Sequence, residues 1–396
     1  MKSTGKNKWL AFVLALLSCS CVEQKKDVAY ETPWGDDSDA STELIMLTLP
    51  GPDTYFEYHG RDMGANYLLC EKLAEHLGKS VRIDVCKDTL DMIERLRNDE
   101  GDIIAVPLSR KHQVGFINVA NNWVVGKNSQ QLARTIRAWY KPQMMAEIKK
   151  QEQYQMSVAS VTRRVYPTML SAAKGQISAY DHLFRQYAPV AMVDWTLFAS
   201  QCYQESCFDS QAHSWAGACG LMQIMPSTAD HLSLPREKLY QPEPNIEAAA
   251  RYMRELQVSF NDITNPAERV RFALAAYNGG VHHIRDAMAL TKKYGGVSQR
   301  WSDVSRYVLL LQSPQYYNDP VVKYGYMRGS ETAQYVDVIM RRHEQYRHAL
   351  ATGGKVTSSV APSARYQGQS ANPQGGFSPL DAAPHRAAKK NKWRKD

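Results

Sequence analysis

The stretch QESCFDSQAHSWAGACGLMQIMPST occupies positions 204–228, and Glu205 and Asp209 are its only charged residues. Charged residues make up 22% of the whole chain, so this stretch is poor in charge. It follows a segment with helical periodicity and contains glycines and other small residues. The pattern predicts a helix that ends near Glu205 and a loop from which charge is excluded.

Glu205 lies on the apolar face of the predicted helix. Val193, Leu197, Gln201 and Glu205 are spaced four residues apart, which places them on one side of a helix. Burial of a carboxyl group disfavours its ionised form and raises its pKa, as a general acid near neutral pH requires. A glutamate at a helix end is more often solvated or a capping partner, so the functional interpretation depends on the loop.

The loop has the composition of a wall of a binding site. Gly217, Ala218 and Gly220 let the backbone approach a ligand closely, and a cation placed here would favour the carboxylate over the acid. The uncharged side chains expected to line the same wall are Ser214, Gln223 and Met225. We therefore predict a groove in which Glu205 is held neutral.

Composition bounds the class of protein. With 396 residues, of which 44% are hydrophobic, the chain is long enough for two domains with tails. The formal net charge of +8 would suit nucleic acid, an anionic membrane or an acidic polymer equally well. Charge alone therefore does not identify the partner.

Residues 1–21, MKSTGKNKWLAFVLALLSCSC, have the layout of an export signal. Lysines precede an apolar run that is too short to span a bilayer. The end of the run resembles a bacterial lipoprotein cleavage site, in which the cysteine is acylated. Cys19 fits better than Cys21, because Leu16 lies three residues before it and Ser18 directly before it. The alternative is an ordinary cleaved signal with incidental cysteines.

The two ends of the chain are expected to lie outside the folded domains. We predict a lipoprotein signal peptide over 1–18 and a flexible polar tether over 19–42. The tail over 351–396 is rich in Gly, Ser, Pro and Gln and ends in a basic run, so it is expected to be disordered. These features predict a cell-envelope protein that is lipid-anchored at the periplasmic face of the outer membrane.

The remaining cysteines match no zinc pattern. They are Cys70, Cys86, Cys202, Cys207 and Cys219. In an oxidising compartment Cys202 with Cys219, or Cys70 with Cys86, are candidate disulfides, and isolated buried thiols are equally compatible with the sequence. Nothing in their surroundings indicates a cysteine nucleophile.

Residues 43–140 alternate between strand and helix patterns. Strands are predicted over 44–49, 81–86 and 102–106, and helices over 63–77, 88–97 and 129–139. This βαβαβ order predicts a small parallel sheet, to which 115–125 adds a strand. No glycine-rich phosphate loop follows the first strand, which argues against a nucleotide site.

A helical linker is expected over 141–175, and an all-α domain over 176–350. Helices in that domain are predicted over 180–187, 193–204, 228–232, 246–260, 266–278, 282–290 and 331–348, without intervening strands. The fold class is therefore an α+β multidomain protein, with a small α/β domain followed by an all-α domain.

Three motifs in the second domain resemble the soluble-type lytic transglycosylases of bacterial cell walls. The first is their pattern Glu-Ser, followed by Ser-x-x-Gly-Ala-x-Gly-Leu-Met-Gln-x-Met-Pro, which is complete from Glu205 to Pro226. The second is AAYNGG over 275–280, which resembles Ala-Tyr-Asn-x-Gly, and the third is GSETAQYV over 329–336, which resembles Glu-Thr-x-x-Tyr-Val. The resemblance implies a lysozyme-like, goose-type fold. It also implies that Tyr277, Asn278 and Glu331 contact sugar or peptide, and that Tyr335 hydrogen-bonds Glu205. Without it, core packing would be the ordinary role of each tyrosine.

One departure from that pattern indicates a particular branch of the family. His282 stands where many relatives have a further glycine, and this ending resembles the membrane-bound lytic murein transglycosylase F branch, as do WSDV over 301–304 and VKYGYMRG over 322–329. In that branch a two-lobed solute-binding-like domain precedes the catalytic domain. Here 43–140 resembles a single lobe, since no room for a second remains between Leu108 and Val119.

The resemblance implies cleavage of the β-1,4 bond between N-acetylmuramic acid and N-acetylglucosamine without water. Glu205 would act first as acid and then as base, and a 1,6-anhydro ring would form. Neither a metal nor a cofactor is expected, and neither is nucleic acid. The implied partners are peptidoglycan glycan strands, the membrane and other cell-wall enzymes. Two alternatives stay open: a hydrolytic muramidase in which Asp209 or another acid positions water, and a non-catalytic wall-binding lipoprotein.

Overall fold

The computed structural model describes residues 42–353. The expected signal peptide, the tether, Cys19, Cys21 and the basic tail beyond residue 353 lie outside this range. Within 42–353, no helix is both long enough and apolar enough to cross a membrane.

The first part of the described chain is built around a five-stranded mixed sheet. Its elements are β1 (Glu43–Thr48), β2 (Phe56–Tyr58), β3 (Arg61–Met63), α1 (Ala65–His76), β4 (Ser80–Val85), α2 (Thr89–Arg97), β5 (Ile103–Ile104), β6 (Ile117–Asn118), β7 (Val124–Val125), α3 (Gln130–Trp139) and α4 (Pro142–Gln155). The strand order is β4-β1-β5-β7-β6, with β1 parallel to β4 and to β5. The predicted βαβαβ core is thus confirmed, and the 115–125 region adds two short antiparallel strands where we expected one.

Alternation along β1 explains why helices cover both faces of this sheet. Met46 and Leu47 are both fully buried but belong to different apolar clusters, because successive side chains of a strand point to opposite faces. Asp88 begins α2 as expected, since its Oδ1 accepts hydrogen bonds from the N–H groups of Leu90 and Asp91 at 2.8 and 3.0 Å.

The hairpin β2–β3 stands apart from the main sheet. Phe56 pairs with Met63 and Tyr58 with Arg61 across an antiparallel ladder. The two turn residues, His59 and Gly60, both have positive φ, at 49° and 67°. Such a turn matches the twist of the two strands. Tyr58 and His59 of this hairpin contact Glu331 at the start of the helix Gly329–Ala351.

The second part is helical, with one short strand pair. Its elements are β8 (Val161–Thr162), α5 (Asp181–Ala191), α6 (Trp195–Ser206), β9 (His213–Ser214), α7 (Pro226–His231), α8 (Pro242–Ser259), α9 (Pro266–Gly279), α10 (Val281–Lys293), α11 (Trp301–Leu310), α12 (Pro314–Tyr317) and α13 (Gly329–Ala351). All seven predicted helices of this domain are present. The structure adds α11, α12 and the β8–β9 pair, which the sequence analysis did not predict.

The helices enclose one apolar core that positions α6. Phe184, Phe198, Phe260 and Phe272 are fully buried within it. Helix α6 packs against α5 and against the long α13. Since α6 carries Glu205 and α13 carries Tyr335, this packing determines which side chains meet at the candidate site.

Candidate active site

Glu205 lies in the last turn of α6. As the four-residue spacing predicts, Leu197 and Gln201 on the same face are buried, at 5% and 1% exposure. Helix α6 ends directly after Glu205 because Cys207 and Phe208 take positive φ, at 52° and 64°. Glu205 is half-buried, so protein covers most of the residue and the rest contacts solvent.

The carboxyl group of Glu205 is bound by Tyr335. The Tyr335 hydroxyl donates a hydrogen bond of 2.5 Å to Oε1, and Tyr335 itself is only 5% exposed. Burial raises the pKa of Glu205 to about 7, against the lowering effects of the Tyr335 hydrogen bond, His59 and Arg163. At neutral pH the group therefore populates both the acid and the carboxylate, as a proton donor that must later accept a proton requires.

Tyr277 forms part of the same site through α9. Its hydroxyl donates a 2.7 Å hydrogen bond to the carbonyl oxygen of Met222 in the loop. Burial raises the pKa of Tyr277, and the charge of Glu205 raises it further. Tyr277 therefore connects α9 to the loop beside Glu205, and it stays in its neutral form.

Asn278, the next residue on α9, faces α13. Its Oδ1 accepts a 2.7 Å hydrogen bond from the Thr332 hydroxyl. The helices approach closely here, because a Cβ at Gly279 would lie 2.7 Å from the hydroxyl oxygen of Thr332 on α13. Asn278 thus joins the two helices that carry Tyr277 and Tyr335.

The loop after Glu205 is held mainly by its own hydrogen bonds. Ser214 Oγ accepts from the N–H of Ala218 at 3.0 Å, and Gln223 Nε2 donates to the carbonyl oxygens of Ala212 and Gly220 at 3.1 and 2.9 Å. Ser214, Gln223 and Met225 are each half-buried, and the Met225 methyl group lies beside Gly60 of the β2–β3 hairpin.

The two glycines of the loop, Gly217 and Gly220, differ in how closely other atoms approach them. Gly220 has φ +77°, and a Cβ there would lie 2.3 Å from the carbonyl oxygen of Leu239, so glycine is required by the fold. At Gly217, with φ +98°, the nearest atom to such a Cβ is Arg61 Nη2 at 3.6 Å. Of these two glycines, only Gly217 has room for a Cβ, which would contact its neighbours at ordinary van der Waals distances.

Glu331 contacts the α/β part of the chain. Its Oε2 accepts a 2.7 Å hydrogen bond from the Tyr58 hydroxyl and lies 3.7 Å from Arg328 Nη1. Its Oε1 lies 3.2 Å from His59 Nε2. Burial opposes ionisation, yet His59, Tyr58 and Arg328 together lower the pKa of Glu331. Because His59 also lowers the pKa of Glu205, the hairpin acts electrostatically on both carboxyl groups.

Sequence reasoning did not single out Tyr58, His59 or Arg163 as residues of this region. All three lie before the stretch with the family motifs, and nothing in their local pattern indicates what they contact. Only the packing of the hairpin and of the 160–164 segment brings them into contact with Glu331 and Glu205.

Asp209, the other acid of the loop, is engaged in structure. It is 6% exposed, and its carboxylate accepts hydrogen bonds from the backbone N–H groups of Arg164 at 2.6 Å and Gln211 at 3.0 Å. These bonds hold the loop to the 160–164 segment. Within residues 42–353, no cluster of His, Cys, Asp and Glu is arranged to hold a metal ion.

The two candidate disulfides are wrong, because the five cysteines over 42–353 are free and buried. Cys202 Sγ lies 3.4 Å from the carbonyl oxygen of Leu221, and Cys219 Sγ lies 3.2 Å from the Tyr240 hydroxyl. Burial raises the pKa of the Cys202 and Cys70 thiols. Such protonated thiols pack as small apolar groups.

Comparison with known proteins finds a family match within the helical part. Residues 182–298 match the family model of the transglycosylase SLT domain. This range contains Glu205, the loop, Tyr277 and Asn278, whereas Glu331 and Tyr335 follow it. Residues 182–298 are therefore similar in sequence to the transglycosylase SLT domain family.

Curated relatives are similar to this chain over about half its length, which confirms the resemblance seen in the motifs. The membrane-bound lytic murein transglycosylase F of Yersinia pestis strain Pestoides F is 38% identical over 191 residues, covering 48% of this chain and 38% of that protein. The protein of the same name from Aeromonas salmonicida strain A449 is 37% identical over 177 residues, covering 45% and 34%. The chain thus spans well under half of each relative.

Solved structures with partial similarity are also transglycosylases. Lytic transglycosylase Slt of Pseudomonas aeruginosa has a TM-score of 0.33 and 23% identity, covering 44% of this chain and 24% of that one. The 70 kDa soluble lytic transglycosylase of Escherichia coli has a TM-score of 0.30 and 23% identity, covering 52% and 27%. These overlaps are too small to carry a conclusion.

Proposed function

We propose that this protein is a peptidoglycan lytic transglycosylase that cleaves the bond between N-acetylmuramic acid and N-acetylglucosamine. The observation that carries the proposal is the Glu205 carboxyl group, half-buried at the end of α6, bound by Tyr335 and with a pKa raised to about 7. The transglycosylase SLT domain over 182–298 supports the same assignment. The proposed catalytic domain spans 176–350.

In the first step protonated Glu205 donates its proton to the glycosidic oxygen. The bond from that oxygen to the muramoyl anomeric carbon breaks, and positive charge develops on the ring, where the neighbouring N-acetyl group can stabilise it. Oε1 accepts the hydrogen bond from Tyr335. We therefore assign the transferred proton to Oε2.

In the second step the Glu205 carboxylate takes the proton of the C6 hydroxyl group while that oxygen bonds to the anomeric carbon. The product is a 1,6-anhydro ring, and Glu205 is again protonated, so no water is consumed. The Tyr335 hydrogen bond stabilises the carboxylate between the two steps. Ser214, Gln223, Met225, Tyr277, Asn278 and Glu331 are the proposed substrate contacts.

The hydrolytic alternative would need a second group that positions water. Asp209 is the other acid of the loop, and its carboxylate is held by the N–H groups of Arg164 and Gln211. That engagement favours the mechanism with a single glutamate. The third alternative, wall binding without catalysis, leaves the raised pKa of Glu205 without a role.

A digest of purified sacculi by the full chain tests this proposal. Mass spectrometry should find 1,6-anhydromuramic ends, and Glu205→Gln should lower their formation about a hundredfold or more. The exposed Glu237 offers a matched control, and Glu237→Gln should leave the rate unchanged. Reducing ends alone would support hydrolysis, and equal solubilisation by Glu205→Gln would support a non-catalytic wall-binding protein.

We also propose that Cys19 carries a lipid that anchors the protein at the periplasmic face of the outer membrane. The support is the lipoprotein-like sequence before Cys19 and the word "membrane-bound" in the names of the relatives. Incorporation of a labelled fatty acid should be lost in Cys19→Ser and kept in Cys21→Ser; the reverse pattern would move the anchor to Cys21. Association with other cell-wall enzymes stays a prediction.

A further inference from the structure

We infer that Arg163, which precedes the transglycosylase SLT domain, is a positioning residue for Glu205. Its Nη1 donates a 2.8 Å hydrogen bond to the main-chain carbonyl oxygen of Glu205 and a 3.3 Å bond to that of Gln204. The inference rests on the proposed function, since it assigns the reaction to Glu205. Arg163 lies outside the matched range of 182–298.

The contact lies where a helix lacks internal partners. The last carbonyl groups of a helix have no donor within it, and Glu205 lies in the last turn of α6. A guanidinium group at this position supplies donors and also interacts favourably with the negative end of the helix dipole. Arg163 therefore stabilises the main chain of the same residue whose side chain performs the chemistry.

The backbone around Arg163 is itself held in place. Val161 and Thr162 pair with Ser214 and His213 in the β8–β9 ladder. On the other side, the N–H of Arg164 donates to Asp209 at 2.6 Å. The segment 160–164 is thus attached to the loop on both sides of Arg163, so the arginine extends from a fixed base.

Glu205 is consequently held at two points by two different parts of the chain. Tyr335 of α13 binds its carboxyl group, and Arg163 binds its carbonyl group. A second arginine, Arg342, lies near the same helix end, but its Nη1 reaches the carbonyl of Ser200 and the side chain of Gln204. Arg163 is the one of these two arginines that binds Glu205 itself, and a shift of about 1 Å in a catalytic group can cost about a hundredfold in rate.

Arg163 has a second, electrostatic effect on the same residue. The groups that act on the Glu205 carboxyl are Tyr335, His59, Arg163 and Glu331, with Tyr277 and Cys202 also close enough to interact with it. Of these, Arg163 is a permanent cation that lowers the pKa of Glu205. Its removal should raise that pKa, so the acid form should persist to higher pH.

The test compares Arg163→Ala, Arg163→Lys and Arg164→Ala in the full chain, with turnover of purified peptidoglycan measured from pH 5 to 9 (about the range that brackets the two protonation states). For Arg163→Ala we expect kcat to fall about tenfold to a hundredfold, while KM stays within about twofold of the wild-type value. The alkaline limb of the pH profile should move to higher pH, because the pKa of Glu205 rises. Arg163→Lys should recover part of kcat. Arg164→Ala is the matched control, because Arg164 binds Asp209 through its backbone N–H.

The outcomes separate this inference from the proposed function. An inactive wild-type protein would refute the proposed function. If the wild type is active and Arg163→Ala has the same kcat per folded molecule and the same pH profile, the positioning role is overturned. This holds even if thermal unfolding shows that the variant is less stable. Should Arg163→Ala not fold, Arg163→Met decides, because it keeps a long unbranched side chain without the charge and the donors: a lower kcat at unchanged KM supports the role, and wild-type kcat overturns it.

Discussion

Replacing Tyr335 with Phe removes the single hydroxyl group that binds Glu205 and keeps the ring that packs in the core. A hydrogen bond to a charged group contributes about 1.5 to 3 kcal/mol. Because this bond favours the carboxylate, its loss should raise the pKa of Glu205 from about 7 by roughly one to two units. A weaker acid protonates the glycosidic oxygen more slowly, and the carboxylate of the second step loses its stabilising donor.

The expected result is a fall in kcat of about tenfold to a hundredfold at the pH optimum, with the alkaline limb of the pH profile displaced upward. The assay is steady-state release of anhydromuropeptides over a pH series. Tyr346 provides the control on the same helix, since its buried hydroxyl donates a 2.6 Å bond to the Thr168 carbonyl, away from Glu205. Tyr346→Phe should lose stability without moving the limb. An unmoved limb in Tyr335→Phe would refute the reasoning.

Three further predictions concern stability. The pKa of Glu205 is about 7 in the folded protein, against an ordinary value of 4.5, so the native state binds a proton more tightly than the unfolded chain and stability falls as the pH rises through that window. Glu205→Gln should therefore be more stable than wild type at pH 8 by up to about 3 kcal/mol. Equal urea midpoints at that pH would contradict this. Gly220→Ala should lower the free energy of unfolding by more than about 2 kcal/mol, because its Cβ would overlap the main-chain carbonyl oxygen of Leu239. Gly280 has φ +80° and open space around it, so Gly280→Ala should cost only about 1 kcal/mol. Similar losses in both variants would show that the backbone relaxes to remove the overlap at position 220. Glu331→Gln should lower the free energy of unfolding, measured by urea denaturation, by no more than about 1 kcal/mol, because the side chains of Glu331 and His59 are each about one-third exposed. A larger loss would show that the hairpin depends on this contact.

Local patterns predicted much of the molecule correctly. The amphipathic spacing before Glu205 gave α6 and its buried face, and Asp88 marked the start of α2. The alternation of strand and helix patterns predicted β1, β4 and β5 in a parallel arrangement. In each case residues close in sequence determine the element, because helix periodicity and capping act over only a few positions.

Short-range patterns failed where partners lie far apart in the chain. The β8–β9 ladder joins two-residue segments whose pairing no local pattern marks. The sequence left open whether the cysteines pair or stay as isolated buried thiols, and in the structure the described cysteines are free and buried. The glycine at 220 was correctly singled out, but it accommodates the Leu239 carbonyl instead of a ligand.

By itself, the sequence determined that Glu205 lies at the end of a helix, that a loop with Asp209 as its only charged residue follows, and that the motifs around both resemble one family. Only the tertiary structure decided what surrounds the carboxyl group: Tyr335 on its side chain, Arg163 on its carbonyl, and His59 nearby. The physical reason is that the pKa of a buried acid depends on desolvation and on charges within a few ångströms. Those neighbours come from segments up to 146 positions before and 130 positions after Glu205 (205 − 59 and 335 − 205), so packing alone brings them together.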